Sequence, residues 1–145
     1  MNFNKINDFE AVVISGSTGS GKNKVANILG KELPIMIINA DAIQVYNKWK
    51  ILSGRPSDLE QKKIIHKLYG HYSGNHYSVG KWLKEVTLCI DKAKKKKLLP
   101  VFVGGTGLYI NLLFQGISKI PNIPKRIRNK GKEILNFDPL FFIII

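Results

Sequence analysis

The segment from Gly16 to Asn23 has the residue types and the spacing of a phosphate-binding loop. It reads GSTGSGKN and matches the pattern G-x-x-x-x-G-K-[ST] at both glycines and at Lys22, with Asn23 in the last place. Glycines allow several backbone N–H groups to converge on one anion, and a lysine ammonium can reach the outer oxygens of a phosphate chain. A glycine-rich turn without a phosphate ligand is the alternative, and the surrounding sequence decides between the two.

The residues on either side of this loop predict the strand and the helix that a phosphate-binding loop needs. Residues 11–15 form a short run rich in valine and isoleucine, which favours a buried strand. After the loop, Val25, Ile28 and Leu29 share one face at helical spacing, which predicts a helix over residues 23–33. A strand, a glycine loop and a helix in this order direct the loop N–H groups and the helix N-terminus to the same anion.

Two more apolar runs, residues 35–39 and 99–103, predict further strands of a parallel sheet that is buried on both faces. A helix before the third strand is predicted by apolar residues at helical spacing and by Ser78, which is placed to cap it. Between residues 47 and 77 we expect a functional loop region with one short helix near residues 59–65. The sequence therefore predicts an α/β fold, a P-loop NTPase-like parallel sheet with flanking helices, which is incomplete because only three strands are recognisable.

Residues that could carry chemistry also follow the second and third predicted strands. Asp41 follows the second strand, and the sequence Gly-Gly-Thr at residues 104–106 follows the third. Because the carboxyl ends of parallel strands meet at one edge of a sheet, both should lie beside the phosphate loop. Asp41 is the only carboxylate between Glu32 and Asp58, so it is the candidate general base of this region. A solvated turn aspartate and a simple tight turn are the plainer interpretations.

The composition is strongly basic and predicts no membrane segment. Its 23 Lys and Arg residues against 10 Asp and Glu give a net charge of +13, which attracts polyanions such as nucleic acid, although compositional drift explains the charge equally well. The lysines at residues 94–97 suit the end of the preceding helix. Cys89 is the single cysteine, and we expect its side chain to be buried. Because one cysteine cannot form an internal disulfide, a reducing compartment is expected for the protein. No apolar run reaches the roughly 18 residues of a membrane helix, so a cytoplasmic location is expected.

Four motifs in the same order make the sequence resemble the tRNA dimethylallyltransferases. They are GSTGSGK at residues 16–22, D-x-x-Q-x-Y at residues 41–46, S-G-R-P at residues 53–56 and VFVGGTGLYI at residues 101–110. The resemblance covers about residues 11–120, and only PNIPKRIR is similar beyond Pro121. It implies the N-terminal part of a P-loop catalytic core over residues 1–120. The start of a tRNA-binding region, with an atypical apolar tail, would then occupy residues 121–145.

The resemblance also implies a reaction. In that family the phosphate loop holds dimethylallyl pyrophosphate, and N6 of an anticodon-adjacent adenosine in tRNA attacks the allylic carbon. By similarity Asp41 and Thr106 are catalytic: Asp41 accepts the N6 proton, and Thr106 lines the reaction channel with Thr18. Asp41 and Gln44 are the implied contacts to the tRNA. The implied pyrophosphate-binding residues are Gly16, Ser17, Thr18, Gly19, Ser20, Gly21, Lys22, Asn23, Ser53 and Arg55.

The sequence departs from the family pattern at three places in these motifs. Asn23 replaces a Ser or Thr whose hydroxyl binds Mg²⁺, Ala42 replaces a serine, and Leu52 replaces a glycine. An amide oxygen is a poorer ligand than that hydroxyl, so Mg²⁺, the implied cofactor, should bind more weakly here. Family members also continue into a helical insertion that grips tRNA and contribute a further arginine. The expectation is therefore a truncated relative that is inactive alone and monomeric if folded.

Two other functions remain open at this point. A small P-loop nucleoside or metabolite kinase shares the strand, phosphate loop and helix, and it would bind ATP and transfer a phosphoryl group. A basic fragment that binds RNA nonspecifically through its lysines would show steep salt dependence and no preference for the anticodon loop. Prenyl transfer from dimethylallyl pyrophosphate would favour the transferase.

Overall fold

A computed structural model of the chain describes residues 10–116 and 124–137, and within these ranges the chain forms four strands and five α-helices. The strands are β1 (Val12–Ser15), β2 (Ile35–Asn39), β3 (Ile65–Lys67) and β4 (Leu99–Gly104). The helices are α1 (Lys22–Glu32), α2 (Asp58–Lys63), α3 (Val79–Lys95), α4 (Gly107–Gln115) and α5 (Lys125–Phe137). A short 3-10 helix spans Asn47–Trp49.

The four strands form one parallel sheet in the order β1-β4-β2-β3. Because β4 pairs with both β1 and β2, the strands that precede the phosphate loop and Asp41 lie on either side of it. Ser15 pairs with Gly104, and Asn39 pairs with Val103, so the carboxyl ends of these three strands lie level. The three following loops therefore start at one edge of the sheet, where open α/β folds bind ligands.

Helices cover both faces of the sheet, as parallel sheets require. On one face, side chains of β2 and β4 pack with α3 and α4, where Trp82 stacks on Tyr109 with ring centroids 4.3 Å apart. On the other face, β2 and β4 pack with α1 through Ala26 and Leu29. Burial of β2 and β4 on both faces makes these two strands a fixed base for the loops at their carboxyl ends.

The predicted strand–loop–helix unit and the second and third predicted strands are confirmed. The capped helix before β4 is also confirmed, since the Ser78 side chain accepts a hydrogen bond from Lys81 N at 3.2 Å. Cys89 is buried, as expected. The short helix expected near residues 59–65 is α2, which begins one residue earlier and ends at Lys63, while Ile65 belongs to β3.

Three features differ from the sequence expectations. β1 is only partly buried, because it lies at the edge of the described sheet rather than between two neighbours. β3 was not predicted: it has only three residues, and pairing with β2 defines it. α5 was not predicted either.

The predicted domain boundary at residue 120 remains a prediction, and the apolar tail from residue 139 lies outside the described residues. None of the helices described in the chain is long and apolar enough to cross a membrane.

Gly104 should be indispensable for the level strand ends, because a Cβ at this position would lie 2.1 Å from the carbonyl oxygen of Ala40. We expect Gly104→Ala to lower the free energy of unfolding by about 3 kcal/mol, since neither backbone can give way. Gly80→Ala in α3 is the matched control, because a Cβ there meets nothing within 4 Å. It should leave stability unchanged or raise it by up to about 1 kcal/mol. Urea unfolding of both variants measures this, and equal effects would contradict the close-approach argument.

Candidate active site

The loop between β1 and α1 has the backbone geometry of an anion-binding loop. Gly19 and Gly21 adopt φ angles of +79° and +82°, a conformation that L side chains rarely adopt. Gly21 is also the N-cap of α1, and no side chain caps this helix. Uncapped N–H groups at a helix N-terminus attract an anion, because they lack intrahelical partners and carry the positive end of the helix dipole.

Lys22 is folded back onto the loop. Its ammonium Nζ donates hydrogen bonds to the carbonyl oxygens of Gly16 at 2.8 Å and Ser17 at 2.6 Å. Phosphate oxygens are stronger acceptors for an ammonium than neutral carbonyls. An anion seated on the loop can therefore draw the ammonium away from these carbonyls without a change in the backbone.

A cavity of about 470 Å³ opens beside the loop and unites most of the predicted site residues. Its lining comes from the loop, from the segment after β2 and from residues 51–54. The lining residues are Thr18, Gly19, Gly21, Lys22, Asn23, Asp41, Ile43, Gln44, Ile51, Leu52, Ser53 and Gly54. The cavity thus joins the phosphate loop to the candidate base, as the level strand ends require.

Asp41 is held by a turn at the end of β2. Its Oδ1 accepts hydrogen bonds from the backbone N–H groups of Ile43 at 2.8 Å and Gln44 at 3.3 Å. Both of these bonds fall on the same carboxylate oxygen, which leaves Oδ2 to accept a proton from a bound molecule. The turn therefore orients the carboxylate without using all of its acceptor capacity.

The side chain of Asn39 holds the backbone of Asp41, and this role was not predicted from the sequence. It is fully buried, and its Oδ1 accepts a hydrogen bond from Asp41 N at 2.9 Å. The side-chain Nδ2 of Asn39 donates to the backbone carbonyl oxygens of Asp41 and Leu68. The backbone carbonyl oxygen of Asn39 accepts a hydrogen bond from Trp82 Nε1 at 2.9 Å. A buried amide with satisfied hydrogen bonds fixes the backbone it contacts. The available signal was a polar residue at the end of an otherwise apolar strand.

Two tyrosines near Asp41 have raised pKa values. Burial raises the pKa of Tyr69, and the negative charge of Asp41 raises it further. Burial is also the main cause of the raised pKa of Tyr109, with smaller contributions from Tyr46 and Asp41. Both phenols consequently stay protonated at neutral pH and cannot act as bases there. Asp41 remains the candidate base.

Thr106 and Gly105 connect the loop after β4 to the other two loops. Thr106 Oγ1 accepts a hydrogen bond from Ala42 N at 3.0 Å, which ties it to the residue after Asp41. A Cβ on Gly105 would lie 2.9 Å from the carbonyl oxygen of Gly16, so this glycine packs closely on the phosphate loop. Thr106 is therefore brought next to the candidate base, although it does not line the cavity itself.

The segment that carries Ser53 is fastened to both sides of the cavity. Gln44 Nε2 donates to the carbonyl oxygen of Ser53 at 2.9 Å, and Asn23 Nδ2 donates to the carbonyl oxygen of Gly54 at 3.3 Å. Asn23 thus links the start of α1 to this segment through its amide nitrogen. The side chains of Gln44 and Asn23 hold the far wall of the cavity in place.

Arg55 lies away from the cavity. Its guanidinium donates to the carbonyl oxygens of Tyr46 at 3.2 Å and Asn47 at 3.3 Å. It packs so closely on Gly70 that a Cβ there would lie 1.3 Å from Nη1. Its buried Nε has no hydrogen-bond partner among the described residues. Of the sequence-predicted pair Ser53 and Arg55, only Ser53 lines the cavity in this conformation.

The oxygen atoms that line the cavity could coordinate a Mg²⁺ ion only together with oxygen atoms of a bound ligand. Mg²⁺ sites typically combine one or two carboxylates with substrate phosphates. Asp41 supplies a carboxylate, and the Asn23 amide oxygen is available because the amide nitrogen faces Gly54. In residues 10–116 and 124–137, no group of three or more His, Cys, Asp or Glu residues could hold a metal by itself. Such an ion would therefore depend on phosphate oxygens.

Comparison with known proteins identifies the family. The family model described as "IPP transferase" matches residues 44–138, and the model described as "Isopentenyl transferase" matches residues 9–70. The chain belongs to the IPP transferase family. The resemblance inferred from the four motifs is therefore confirmed, and neither the kinase nor the nonspecific RNA-binding alternative is favoured.

Curated relatives match most of this chain but less than half of their own length. A tRNA dimethylallyltransferase of Pelagibacter ubique is 48% identical over 120 residues, which are 82% of this chain and 38% of that protein. One from Rhizobium rhizogenes is 41% identical over 133 residues, 91% of this chain and 45% of that protein. The chain thus spans about two fifths of the length of these relatives and corresponds to their N-terminal part.

Solved structures show the same fold. The tRNA isopentenylpyrophosphate transferase of Bacillus halodurans is similar with a TM-score of 0.72 and 27% identity, over 88% of this chain and 43% of that chain. A eukaryotic dimethylallyltransferase acting on tRNA is similar with a TM-score of 0.72 and 25% identity, over 80% of this chain and 30% of that one. The P-loop NTPase-like α/β fold predicted from the sequence is thereby confirmed.

Asn23→Thr tests the metal argument. The substitution restores a hydroxyl at the place where phosphate-binding loops hold Mg²⁺, so we expect the Mg²⁺-dependent gain in pyrophosphate affinity to rise by about tenfold. Calorimetric titration with pyrophosphate at fixed Mg²⁺, and with excess chelator, measures that gain. Asn23→Ala is the matched control, because it also removes the bond to Gly54 but adds no hydroxyl. Equal metal dependence in all three proteins would show that position 23 does not contact Mg²⁺.

Proposed function

We propose that this chain forms the pyrophosphate-binding and base-carrying part of a tRNA dimethylallyltransferase. In the complete enzyme, a dimethylallyl group moves from dimethylallyl pyrophosphate to N6 of an adenosine next to the anticodon of tRNA. The observation that carries the proposal is the single cavity shared by the phosphate loop and Asp41. The family and the names of the relatives supply the chemistry that such a cavity would perform.

The phosphate loop would bind the pyrophosphate group. Backbone N–H groups of residues 16–22 and the uncapped start of α1 attract its oxygens, and Lys22 Nζ exchanges its carbonyl partners for them. Negative charge grows on the pyrophosphate as its bond to the allylic carbon breaks. Donors already aimed at that position stabilise the transition state more than the ground state.

Ser53 and Arg55 are proposed as further pyrophosphate contacts. Ser53 lines the cavity opposite the loop. Arg55 would have to rotate from the carbonyls of Tyr46 and Asn47, and its buried Nε would gain a partner by doing so. The Asn23 amide oxygen would be the protein ligand of a Mg²⁺ ion bound with the pyrophosphate, and such an ion would offset part of the negative charge, while Asp41 is left to act as the base.

Asp41 would act as the base. When N6 bonds to the allylic carbon, the bond from that carbon to the pyrophosphate oxygen breaks and N6 becomes acidic. Asp41 Oδ2 accepts the N6 proton, while Oδ1 stays fixed by the turn N–H groups. Gln44 directly follows Ile43 and lines the same cavity, so it is proposed to contact the adenine. Thr106 keeps this turn in place through Ala42 N.

Lys22→Ala tests pyrophosphate binding. Loss of the ammonium should weaken pyrophosphate binding at least about tenfold in calorimetry, since a charge-assisted hydrogen bond contributes more than 1 kcal/mol. Lys31→Ala, at the other end of α1, removes the same charge and should leave the affinity nearly unchanged. Identical losses in the two variants would mean that net charge, and not the loop, holds the anion. Binding of ATP in preference to dimethylallyl pyrophosphate would favour the kinase.

A polypeptide of these 145 residues should bind pyrophosphate without prenylating tRNA. Extrusion of adenosine costs a few kcal/mol that contacts to the surrounding RNA must offset. Phosphate attraction alone does not orient N6 for attack. The relatives carry about three fifths of their length beyond the matched part, where such contacts would reside. The polypeptide is incubated with tRNA, labelled dimethylallyl pyrophosphate and Mg²⁺; label transfer that disappears in Asp41→Ala would contradict this expectation.

A further inference from the structure

Three polar side chains that the proposed reaction does not use join the loop after β3 to helix α3. The Tyr77 hydroxyl donates a hydrogen bond to Glu85 Oε2 at 2.5 Å, and His71 Nε2 lies 2.7 Å from the same oxygen. The side chains of His71 and Glu85 are 31% and 26% exposed, so solvent screens their contact only in part. We call His71, Tyr77 and Glu85 the latch, because they fasten a loop to a helix.

Glu85 carries a negative charge in the latch at neutral pH. Burial raises the pKa of Glu85, but hydrogen bonds from Tyr77 and His71 outweigh this effect and bring the pKa below its ordinary value. Burial, and then the bond to Glu85, raise the pKa of Tyr77, so its hydroxyl stays protonated. Because an ionised carboxylate can only accept hydrogen bonds, His71 Nε2 is the donor of the second bond. Bonds to an ionised acceptor are roughly twice as strong as those between neutral groups.

Helix α3 gives the latch a fixed base. Trp82, three residues before Glu85, and Val86, directly after it, are both buried. Trp82 Nε1 also donates to the backbone carbonyl oxygen of Asn39 at 2.9 Å, at the end of β2. Glu85 is therefore anchored to the same strand that precedes the candidate base.

The loop that the latch fastens holds the segment after the candidate base. Gly70 N donates to the Gln44 carbonyl oxygen at 2.8 Å, and Tyr72 N donates to the Val45 carbonyl oxygen at 3.1 Å. His71 lies between Gly70 and Tyr72 in the chain. The two backbone bonds thus flank the residue that contacts the carboxylate of α3.

The Tyr77 end of the loop holds the same segment. Tyr77 N donates to the Tyr46 hydroxyl at 3.2 Å, and Asn47 N donates to the Tyr72 carbonyl oxygen at 3.0 Å. The Tyr72 ring contacts the rings of Tyr46 and Tyr77, with centroids 5.9 Å and 5.0 Å apart. Lys81 Nζ of α3 lies 4.3 Å from the centroid of the Tyr72 ring, a cation–π contact. Helix α3 therefore holds this loop through a cation as well as a carboxylate.

The loop depends on such contacts because part of its backbone is strained. Leu68 adopts a φ of +63°, in the left-handed region that is unfavourable for a leucine, and Gly70 adopts a φ of +54°. Strained backbone persists only where the surrounding contacts hold it. Asn39 Nδ2 holds the carbonyl oxygen of Leu68, and the latch supplies the next side-chain contact at His71.

We propose that Glu85 is a positioning residue, which acts through the latch to keep residues 43–47 at the cavity of the phosphate loop. This inference rests on the proposed function, because the parts that Glu85 positions are the candidate base and the adenine contact. The backbone N–H groups of Ile43 and Gln44 hold Asp41 Oδ1, and Gln44 lines the cavity. Glu85 does not line the cavity itself, so it acts through other residues and not on a ligand.

Amide hydrogen exchange on the ¹⁵N-labelled 145-residue chain tests the latch without any ligand. In Glu85→Ala we expect the protection of the Gly70 and Tyr72 amides to fall about tenfold, because two charge-assisted hydrogen bonds that hold their loop are lost. The amide resonances of Ile43 and Gln44 should shift as well, since the turn around the candidate base loses its support. The resonances of the phosphate-loop amides should stay where they are.

Three comparisons separate positioning from a general loss of stability. The Ala40 amide, which donates to the Val103 carbonyl oxygen, should keep its protection in Glu85→Ala, because this bond joins two strands of the core. Asp91→Ala removes an exposed carboxylate from the same helix and should change none of these amides. Tyr77→Phe keeps the ring and removes one donor, so its effect should be smaller and should not add to that of Glu85→Ala. Tyr77→Phe also carries the test if Glu85→Ala does not fold.

Four outcomes would overturn the positioning role of Glu85. They are unchanged protection of the Gly70 and Tyr72 amides in Glu85→Ala, an equal loss at Ala40, the same loss in Asp91→Ala, and weaker pyrophosphate binding in Glu85→Ala. Pyrophosphate affinity should stay the same in that variant, because no residue of the latch lines the cavity of the phosphate loop. If the unmodified chain does not bind pyrophosphate while the exchange results hold, the proposed function fails and the latch stands as the fastening of residues 43–47.

Discussion

The close approach of β4 to the end of β2 is the constraint on which the rest of the site depends. Ala40 N donates to Val103 O at 2.8 Å, and Gly104 lies so near Ala40 that no side chain fits between them. This contact sets the spacing between the loops after β2 and β4. Gly105 then packs on the phosphate loop, and Thr106 reaches Ala42. The base and the phosphate loop share a cavity because three strand ends are level and close.

Polar groups around this edge are arranged so that a ligand can replace internal partners. Lys22 uses carbonyl oxygens of its own loop, and Arg55 uses those of Tyr46 and Asn47. Asp41, in contrast, is fixed through one oxygen by backbone N–H groups. The cations are thus adaptable and the base is preorganised, which suits a reaction that binds a charged leaving group and then removes one proton.

Much of this arrangement could be predicted from the sequence because it is local. The phosphate loop, Asp41 and the Gly-Gly-Thr turn each follow a recognisable strand. Pairing of these strands in one parallel sheet then places their carboxyl ends side by side. The position of Arg55 could not be predicted, because it depends on the space left by Gly70, a residue 15 positions away in a loop. The support from Asn39 was equally hidden, since its partners Leu68 and Trp82 come from other elements.

The central claim, that loop amides and not the general positive charge bind a pyrophosphate, is tested most directly by nuclear magnetic resonance. Pyrophosphate is added to ¹⁵N-labelled protein, and the amide shift changes are followed residue by residue. The account predicts that the largest changes fall on Gly16 to Asn23, with smaller ones at Gly105 and Thr106, which contact that loop or its neighbour. Changes spread over the lysines of residues 92–97 and the basic helix α5, with the loop amides unmoved, would contradict it.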